Sequence, residues 1–273
     1  MVIPAYAGSL NPDKPRETAL ITGASSGIGL DLARLMAPDF DLIITARNQE
    51  RLEEIAKELQ GQHGNHVHVI PGDLARPEVP LQIFAETERR GLQVDILVNN
   101  AGFGGYGPFA ETDLVNELEM IQLNITALTE LTKLALSRML ERKRGSILNV
   151  ASTAGFQPGP LMAVYYATKA YVISFTEAIT NELKGSGINV ICLCPGATAT
   201  EFAKRADMER SRLFKLGAMS SAAVARAAYL ALLFHRRGMV IPGFMNKLLL
   251  QSLRVSPRWA VLAISRSLQE RSA

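Results

Sequence analysis

Short, almost fully apolar segments alternate with longer amphipathic segments along most of this 273-residue chain. The strand candidates are TALIT (18–22), DLIIT (41–45), HVHVI (66–70), VDILV (94–98), SILNV (146–150) and INVICL (188–193), with MVIP (239–242) as a seventh. Strands that are apolar on both faces are typical of a parallel sheet covered by helices on each side. Right-handed crossovers then predict an α/β fold: a doubly wound, parallel, seven-stranded sheet with helices on both faces.

The limits of this alternation predict the domain organisation. It begins near residue 17 and continues without a linker, repeat or low-complexity tract to about residue 243. We therefore predict one α/β domain over 17–243, a flexible leader over 1–16 and a helical C-terminal extension over 244–273. The 48% of hydrophobic residues is ordinary for a compact globule with a core of this size.

Composition argues against several classes of function. The formal net charge of +3 is too small to imply general attraction to nucleic acid. No apolar run is long enough to predict a membrane span, and the first residues lack the pattern of a signal peptide. Cys192 and Cys194 lie two apart in one apolar strand, where a disulfide would be strained, and no second ligand cluster indicates a metal. Unpaired, buried thiols predict a cytoplasmic protein.

A glycine-rich turn, TGASSGIG (22–29), follows the first predicted strand and opens a helical segment. Gly23, Gly27 and Gly29 permit a tight turn and close approach of the backbone to a phosphate, and the helix N-terminus attracts negative charge. The spacing GxxxGxG differs from the more usual GxGxxG. An ordinary strand-to-helix turn can share this composition, but the flanking strand and helix favour a dinucleotide site.

The segment VYYATKAY (164–171) places two tyrosines close to one lysine. Tyr165 and Tyr166 precede Lys169 by four and three residues, and both spacings allow contact on a helix. A phenol titrates at about 10, and a nearby ammonium lowers that pKa toward the range useful for acid–base catalysis. The segment therefore predicts a general acid or base, although such a pair is also common on amphipathic surfaces.

Two further polar residues are candidates for catalysis. Ser152 follows the strand SILNV, so we expect it at the carboxyl edge of the sheet, where its hydroxyl can donate to a substrate oxygen. A serine that only caps a turn is the alternative, since ASTAG is a turn-like composition. Asn124 lies within a long helical stretch, where it either holds a water or satisfies its own buried neighbours.

Taken together, these motifs resemble the short-chain dehydrogenases/reductases. The matching segments cover roughly residues 17 to 243 and are TGASSGIG (22–29), GDLA (72–75), NNAG (99–102), Asn124, Ser152, YYATK (165–169) and PGATAT (195–200). The resemblance implies a Rossmann-type subunit in a homodimer or homotetramer, a nicotinamide dinucleotide, and hydride exchange between a carbonyl and a secondary alcohol.

The same resemblance implies roles for individual residues. The family pattern Tyr-x-x-x-Lys selects Tyr165, rather than Tyr166, as the general acid/base. Lys169 is implied to grip the nicotinamide ribose, Ser152 to polarise the carbonyl, and Asn124 to hold a water for proton relay. The residues that match the family's cofactor contacts are Gly23, Ser25, Ser26, Gly27, Ile28, Gly29, Arg47, Asp73, Leu74, Asn100, Ala101, Gly102, Tyr165, Lys169, Pro195, Gly196, Thr198 and Thr200.

The end of the second strand predicts which dinucleotide binds. A carboxylate there selects NAD, whereas a basic residue suits the 2′-phosphate of NADP. Ala46 stands where NAD-preferring relatives carry an acid, and Arg47 follows it, so NADP is predicted. An exposed arginine near a helix start is the alternative, and the glycine turn carries serines where some NADP-preferring relatives add a basic residue.

Asn99 is expected on the cofactor floor, and Thr198 replaces the family's usual aliphatic residue.

Three segments are expected to surround a small-molecule substrate: 103–110, 153–165 and the stretch from Gly196 to about Gly217. Their apolar residues predict a pocket for an apolar ketone or aldehyde; they are Phe103, Phe156, Leu161, Met162, Phe202, Met208 and Phe214. Reduction of a 3-oxoacyl thioester or a steroid-like ketone is the alternative. Two alternatives come from other classes of function. One is a non-catalytic dinucleotide sensor, and the complete catalytic set argues against it. The other is a membrane- or partner-bound scaffold organised by the tail, in which cofactor binding is only structural.

Two basic segments leave alternatives open. The third substrate segment carries cations that form either the solvated face of a lid helix or a contact for an anionic substrate; they are Lys204, Arg205, Arg210, Arg212 and Lys215. The extension, 246–272, is predicted as two amphipathic helices hinged at Pro257. Packing against the core or a second subunit is favoured for it, and contact with an anionic membrane surface is the alternative.

Overall fold

A computed structural model describes residues 16–201 and 217–270 of the chain. Seven strands form one parallel sheet in the order β3-β2-β1-β4-β5-β6-β9, which confirms the predicted doubly wound architecture. These strands are β1 (Thr18–Thr22), β2 (Asp41–Thr45), β3 (Val67–Val69), β4 (Ile96–Asn99), β5 (Gly145–Val150), β6 (Ile188–Leu193) and β9 (Gly238–Val240).

A second, two-stranded parallel sheet was not predicted. It pairs β7 (Thr198–Ala199) with β8 (Met219–Ser220). Strands of two residues carry too little apolar periodicity to be recognised in a sequence. The pairing joins the segment after β6 to the helix that follows β8.

Nine helices lie within the described residues. They are α1 (Gly27–Met36), α2 (Gln49–His63), α3 (Val79–Arg89), α4 (Leu114–Ile121), α5 (Leu128–Arg142), α6 (Ala163–Glu182), α7 (Ser221–Leu233), α8 (Phe244–Leu253) and α9 (Arg258–Gln269). A π-helical turn, Gln122–Ala127, joins α4 to α5, and a 3₁₀ turn, Thr153–Phe156, follows β5. None of the helices in the described ranges is long and apolar enough to cross a membrane.

Alternate side chains of the central strands enter two separate cores, because successive residues of a strand point to opposite faces. In β1, Ala19 and Ile21 pack into the core formed with α1, α2 and α7. Leu20 packs into the core on the other face, formed with α3, α5 and α6. This arrangement explains why the strands are apolar at every position rather than at every second one.

The tail folds as two helices on either side of Pro257, as predicted: α8 ends at Leu253, and Pro257 is the N-cap of α9. The proposed division of the chain near residue 243 stays a prediction. Residues 1–15 of the predicted leader and the basic segment with Lys204, Arg205, Arg210, Arg212 and Lys215 lie outside the described residues.

Candidate active site

A cleft of about 1510 Å³ lies at the carboxyl ends of the central strands. The loops after β1, β2, β4, β5 and β6 all contribute to its walls, and so do α6, α8 and α9. In a doubly wound sheet this edge is where ligands bind. Most residues that the sequence singled out therefore line one cavity.

The glycine turn after β1 has the shape that a phosphate site requires. Gly23 and Gly27 have φ angles of +67° and +55°, a backbone region that side chains disfavour. A Cβ on Gly29 would stand 2.4 Å from the Gly23 oxygen, so only glycine allows this approach; Gly29 itself does not line the cleft. Ser26 is the N-cap of α1 but makes no side-chain cap bond, which leaves the first N–H groups to an anion.

Thr22 and Asn100 hold the glycine turn against the loop after β4. Thr22 Oγ1 accepts from the backbone N–H groups of Asn100 and Ala101, both at 2.9 Å. Asn100 Nδ2 donates in return to the Thr22 oxygen at 2.8 Å. Because these bonds fix two walls of the cleft relative to each other, Asn100 supports the site as well as lining it.

The expectation that Asn99 lines the cofactor floor is wrong. Its Nδ2 donates to Thr132 Oγ1 and to Asn149 Oδ1, both at 2.9 Å, inside the protein. Asn149 Nδ2 continues the chain of bonds to Thr176 Oγ1 at 3.0 Å. Neighbouring residues of the strand end face opposite ways, so Asn100 faces the cleft and Asn99 ties β4 and β5 to α5 and α6.

The end of β2 presents a cation to the cleft. Arg47 lines the opening and is exposed, and within the described part of the chain its guanidinium has neither a hydrogen bond nor an ion pair. Ala46 beside it is partly buried and brings no negative charge. Beside this strand end, in the loop after β3, the Gly72 N–H donates to the Ala46 oxygen at 3.0 Å, and Asp73 and Leu74 line the cleft. Asp73 Oδ1 accepts from the Ala75 N–H at 3.2 Å.

Ser152, Tyr165 and Lys169 meet at the centre of the cleft. The Ser152 hydroxyl hydrogen-bonds the Tyr165 side chain. Lys169 Nζ lies 5.9 Å from the centre of the Tyr165 ring and donates to the Val150 oxygen at 2.8 Å. Ser152 Oγ also accepts from the Ala154 N–H at 3.1 Å, so this serine caps a turn and faces the site at once.

Burial dominates the acid–base properties of this group. It raises the pKa of Tyr165 well above its ordinary value, and the hydrogen bond from Ser152 offsets only part of that rise. The expectation that Lys169 lowers this pKa is therefore not met in the protein alone. Burial also lowers the pKa of Lys169 to about 8, because the interior disfavours the ammonium.

Because the pKa of Lys169 is lowered in the folded chain, we expect the free energy of unfolding to depend on pH. Between pH 8 and its ordinary value of 10.5, the unfolded chain binds more protons at this lysine than the folded chain does. The free energy of unfolding should therefore rise with pH, by about 2 kcal/mol from pH 8 to pH 10. Urea unfolding of wild type and Lys169→Met at both pH values measures this. A wild-type-minus-variant difference that is the same at both pH values would contradict the assignment.

Asn124 sits in the π-helical turn Gln122–Ala127, a local expansion of the helix that is frequent at functional sites. Its amide clamps Phe103: Oδ1 accepts from the Phe103 N–H at 3.2 Å, and Nδ2 donates to the Phe103 oxygen at 2.9 Å. Nδ2 also donates to Thr168 Oγ1 at 3.1 Å. The side chain thus satisfies its buried neighbours, and the water-relay role stays a prediction.

Asn124 lies close to Lys169 of α6, with Gly102 between them. A Cβ at Gly102 would stand 2.9 Å from Asn124 Oδ1 and 3.6 Å from Lys169 Nζ. A side chain at this position would therefore press on both residues. Asn124 therefore lies close to Lys169 but, unlike Ser152, Tyr165 and Lys169, it is buried behind the cleft wall and does not line the cleft.

The segment after β6 closes the cleft from the other side. Pro195, Gly196, Thr198 and Thr200 all line it. Thr198 Oγ1 donates to the Gly196 oxygen at 2.9 Å, which gives this unusual threonine a structural role. A Cβ on Gly27 would stand 3.1 Å from Thr200 Cγ2, so the segment lies directly against the glycine turn.

Tyr166 connects α6 to α9. It is buried and meets the Tyr165 ring edge-on, with ring centres 6.1 Å apart. Gln269 of α9 donates from Nε2 to the Tyr166 hydroxyl, and the Tyr106 hydroxyl donates to the Gln269 backbone oxygen at 3.0 Å. Burial raises the pKa of Tyr166 to about 12. Its hydroxyl is therefore occupied in joining α6 to α9.

Only some of the apolar residues predicted to surround the substrate line the cleft. Phe103 and Met162 line the cleft, but Phe156 packs against the core beneath it and Leu161 does not face it. Phe202, Met208 and Phe214 lie outside the described residues. The tail supplies apolar wall residues that sequence reasoning missed, namely Phe244, Met245, Leu249, Leu250, Leu253, Val261, Ile264 and Leu268. Their helical spacing was visible, but not the surface against which they pack.

Comparison with known proteins finds extensive similarity. A family profile described as short chain dehydrogenase matches residues 17–211. The granaticin polyketide synthase putative ketoacyl reductase 1 of Streptomyces violaceoruber is 43% identical over 195 residues, 70% of this chain and 71% of that protein. Very-long-chain 3-oxoacyl-CoA reductase-A of Danio rerio is 36% identical over 72% of this chain, which spans 63% of that relative, less than two thirds of its length.

Two solved structures are similar over nearly the whole chain. A short-chain dehydrogenase from Sphingobium yanoikuyae in complex with NADPH has a TM-score of 0.79 and 32% identity, covering 94% of this chain and 98% of that one. The bulky-bulky ketone specific alcohol dehydrogenase from Comamonas testosteroni has a TM-score of 0.74 and 29% identity, covering 90% and 97%. Both coverages of this chain exceed that of the family profile.

Proposed function

The chain belongs to the short-chain dehydrogenase/reductase family, whose members are NAD(P)-dependent oxidoreductases acting on CH–OH groups, and from this premise we propose that it reduces an apolar ketone or aldehyde with NADPH. The observation that carries the proposal is the contact of Ser152 with Tyr165, beside Lys169, in a cleft with a glycine turn at one end. When bound, the dinucleotide supplies the hydride.

The side chains of the site can donate a proton to the carbonyl oxygen of the substrate and stabilise the negative charge that develops on it. A tyrosine whose pKa is raised is protonated at neutral pH, so Tyr165 Oη can give its proton to the oxygen as the alkoxide develops. Ser152 Oγ donates a hydrogen bond to the same oxygen and stabilises the developing charge. Lys169, held by the Val150 carbonyl, keeps a positive charge below about pH 8 and compensates the phenolate that remains.

The preference for NADPH is supported by the free guanidinium of Arg47. Arg47→Ala should raise the Kd for NADPH roughly 10- to 100-fold and leave that for NADH nearly unchanged, because one charge-assisted bond to the 2′-phosphate is lost. Quenching of protein fluorescence measures both constants. Arg51→Ala is the matched control, since that arginine pairs with Glu54 on the next helix. Equal losses for both dinucleotides would refute the assignment of Arg47.

The apolar wall formed by α8 and α9 supports a bulky hydrocarbon substrate. Six of its residues are aliphatic, and the charged residues lining the whole cleft within the described ranges are Arg47, Asp73, Glu119, Lys169 and Glu201. A 3-oxoacyl thioester is the second candidate, favoured by the names of the Streptomyces and zebrafish relatives. A panel that compares NADPH oxidation with bulky aryl-alkyl ketones and with 3-oxoacyl thioesters distinguishes the two.

The proposal includes a cytoplasmic homodimer or homotetramer. Cys192 and Cys194 are buried and free, as predicted, which is the usual state of thiols in a reducing compartment. Exposed apolar residues on α4, such as Leu114, Val115 and Leu118, are available for contact between subunits. Sedimentation of the purified protein tests the assembly.

A further inference from the structure

The C-terminal helices have two apolar faces, and only one of them is covered. The inner face is buried against the cleft through Leu250, Val261, Ser265 and Gln269. We call the exposed apolar residues on α8, on α9 and between them the outer apolar face; they are Phe244, Met245, Leu248, Leu249, Val255, Trp259, Leu262 and Ile264, and four of them, Phe244, Met245, Leu249 and Ile264, also line the cleft. Exposure reaches 80% at Phe244, 85% at Val255 and 74% at Trp259, values unusual for large apolar side chains clustered in so short a segment.

Basic residues accompany this outer apolar face. From residue 244 to residue 270 the chain has four cations, Lys247, Arg254, Arg258 and Arg266, and one acid, Glu270. The net charge of this segment therefore equals the +3 of the whole chain, and the remainder is formally neutral. Arg266 pairs with Glu270 at 3.5 Å, whereas the other three cations have no acidic partner within 16–201 and 217–270.

We propose that the outer apolar face docks on an anionic lipid surface, with α8 and α9 lying in the interface rather than crossing it. Exposed aromatic and aliphatic residues interleaved with arginine and lysine are the chemistry that binds such surfaces. This inference goes beyond the oxidoreductase activity, and only its link to the cleft entrance rests on the proposed apolar substrate.

Charge favours lipid over a second copy of the chain. A two-fold interface would place the same patch on both sides, so the cations of one copy would face those of the other. Anionic headgroups supply the opposite charge instead. The position of the cleft agrees with this choice, because Phe244, Met245, Leu249 and Ile264 are exposed on the outer apolar face and also line the cleft. An apolar substrate dissolved in lipid would therefore meet the entrance directly.

Co-sedimentation of the full chain with vesicles tests the proposal. We expect binding to phosphatidylcholine vesicles that contain phosphatidylglycerol, weaker binding at high salt, and little binding to phosphatidylcholine alone. The variant R254Q/R258Q should bind the mixed vesicles roughly 25-fold more weakly, since each cation near such a surface contributes about fivefold. L248S/W259S should also lose binding, and neither residue lines the cleft.

Matched controls use exposed residues elsewhere in the chain. Leu81→Ser on α3 and Lys57→Gln on α2 change the same kinds of side chain and should leave vesicle binding unchanged. Turnover of a small water-soluble ketone verifies that each variant is folded. The proposal is overturned if the native chain stays in the supernatant, or if both double variants sediment like it. A fall in oligomer mass with L248S/W259S and no vesicle binding by the native chain would assign the face to a second copy.

Discussion

Tyr165→Phe should lower kcat for ketone reduction roughly 100- to 10,000-fold, because the variant has no Oη proton to give to the carbonyl oxygen. Tyr166 is the next residue of the same helix. Tyr166→Phe removes the hydroxyl that accepts a hydrogen bond from Gln269 and should reduce kcat by no more than about tenfold. Steady-state oxidation of NADPH at saturating ketone measures both. The two variants delete the same atom from adjacent buried rings, so each controls for the other.

Binding of NADPH to Tyr165→Phe should stay within a few-fold of wild type, which separates a loss of chemistry from a loss of the site. The assignment would be wrong if Tyr166→Phe showed the larger fall in kcat. It would also be wrong if Tyr165→Phe kept wild-type turnover, since the phenol would then have no part in proton transfer.

Replacing either of two buried asparagines, Asn149 or Asn189, by leucine should change the free energy of unfolding in opposite directions. Asn149 is fully buried and links Asn99 to Thr176, so Asn149→Leu leaves polar atoms on both neighbours without that partner. We expect the free energy of unfolding to fall by about 2 to 4 kcal/mol. Asn189, also buried on β6, makes no side-chain hydrogen bond within the described residues. Asn189→Leu should be neutral or stabilising by about 1 kcal/mol.

Urea unfolding monitored by circular dichroism gives both free energies. Both variants replace asparagine by leucine in neighbouring strands of one sheet. Comparing them therefore separates the contribution of the hydrogen-bond network to the free energy of unfolding from the contribution of apolar burial. Equal losses for the two variants would show that shape, rather than hydrogen bonding, governs both positions.

Much of this fold follows from local sequence patterns. Residues such as Leu20 and Ile21 are both apolar because each faces a different helical layer, and the sequence alone predicts that both layers exist. The meeting of Ser152 with Tyr165 was predictable too, since Ser152 follows the central strand β5 and Tyr165 belongs to a family motif. These features depend on apolar patterns and motifs within short segments of the chain, which can be read directly from the sequence.

Other features depend on contacts between distant segments. Gln269 reaches Tyr166 from 103 residues away, and nothing near either residue indicates the pairing. The raised pKa of Tyr165 likewise comes from burial in the folded chain, and the neighbouring lysine considered in the sequence does not lower it. The π-helical turn at Asn124 has no simple apolar period, so the sequence predicted an ordinary helix there.

Transfer of deuterium from NADPH labelled at the nicotinamide C4 to a bulky ketone tests the central claim most directly. Mass spectrometry of the product alcohol locates the label. The proposed function predicts deuterium on the carbinol carbon with the wild-type chain and almost none with Tyr165→Phe. Tight binding of NADPH without label transfer to any ketone, aldehyde or 3-oxoacyl thioester would contradict it and favour a dinucleotide sensor.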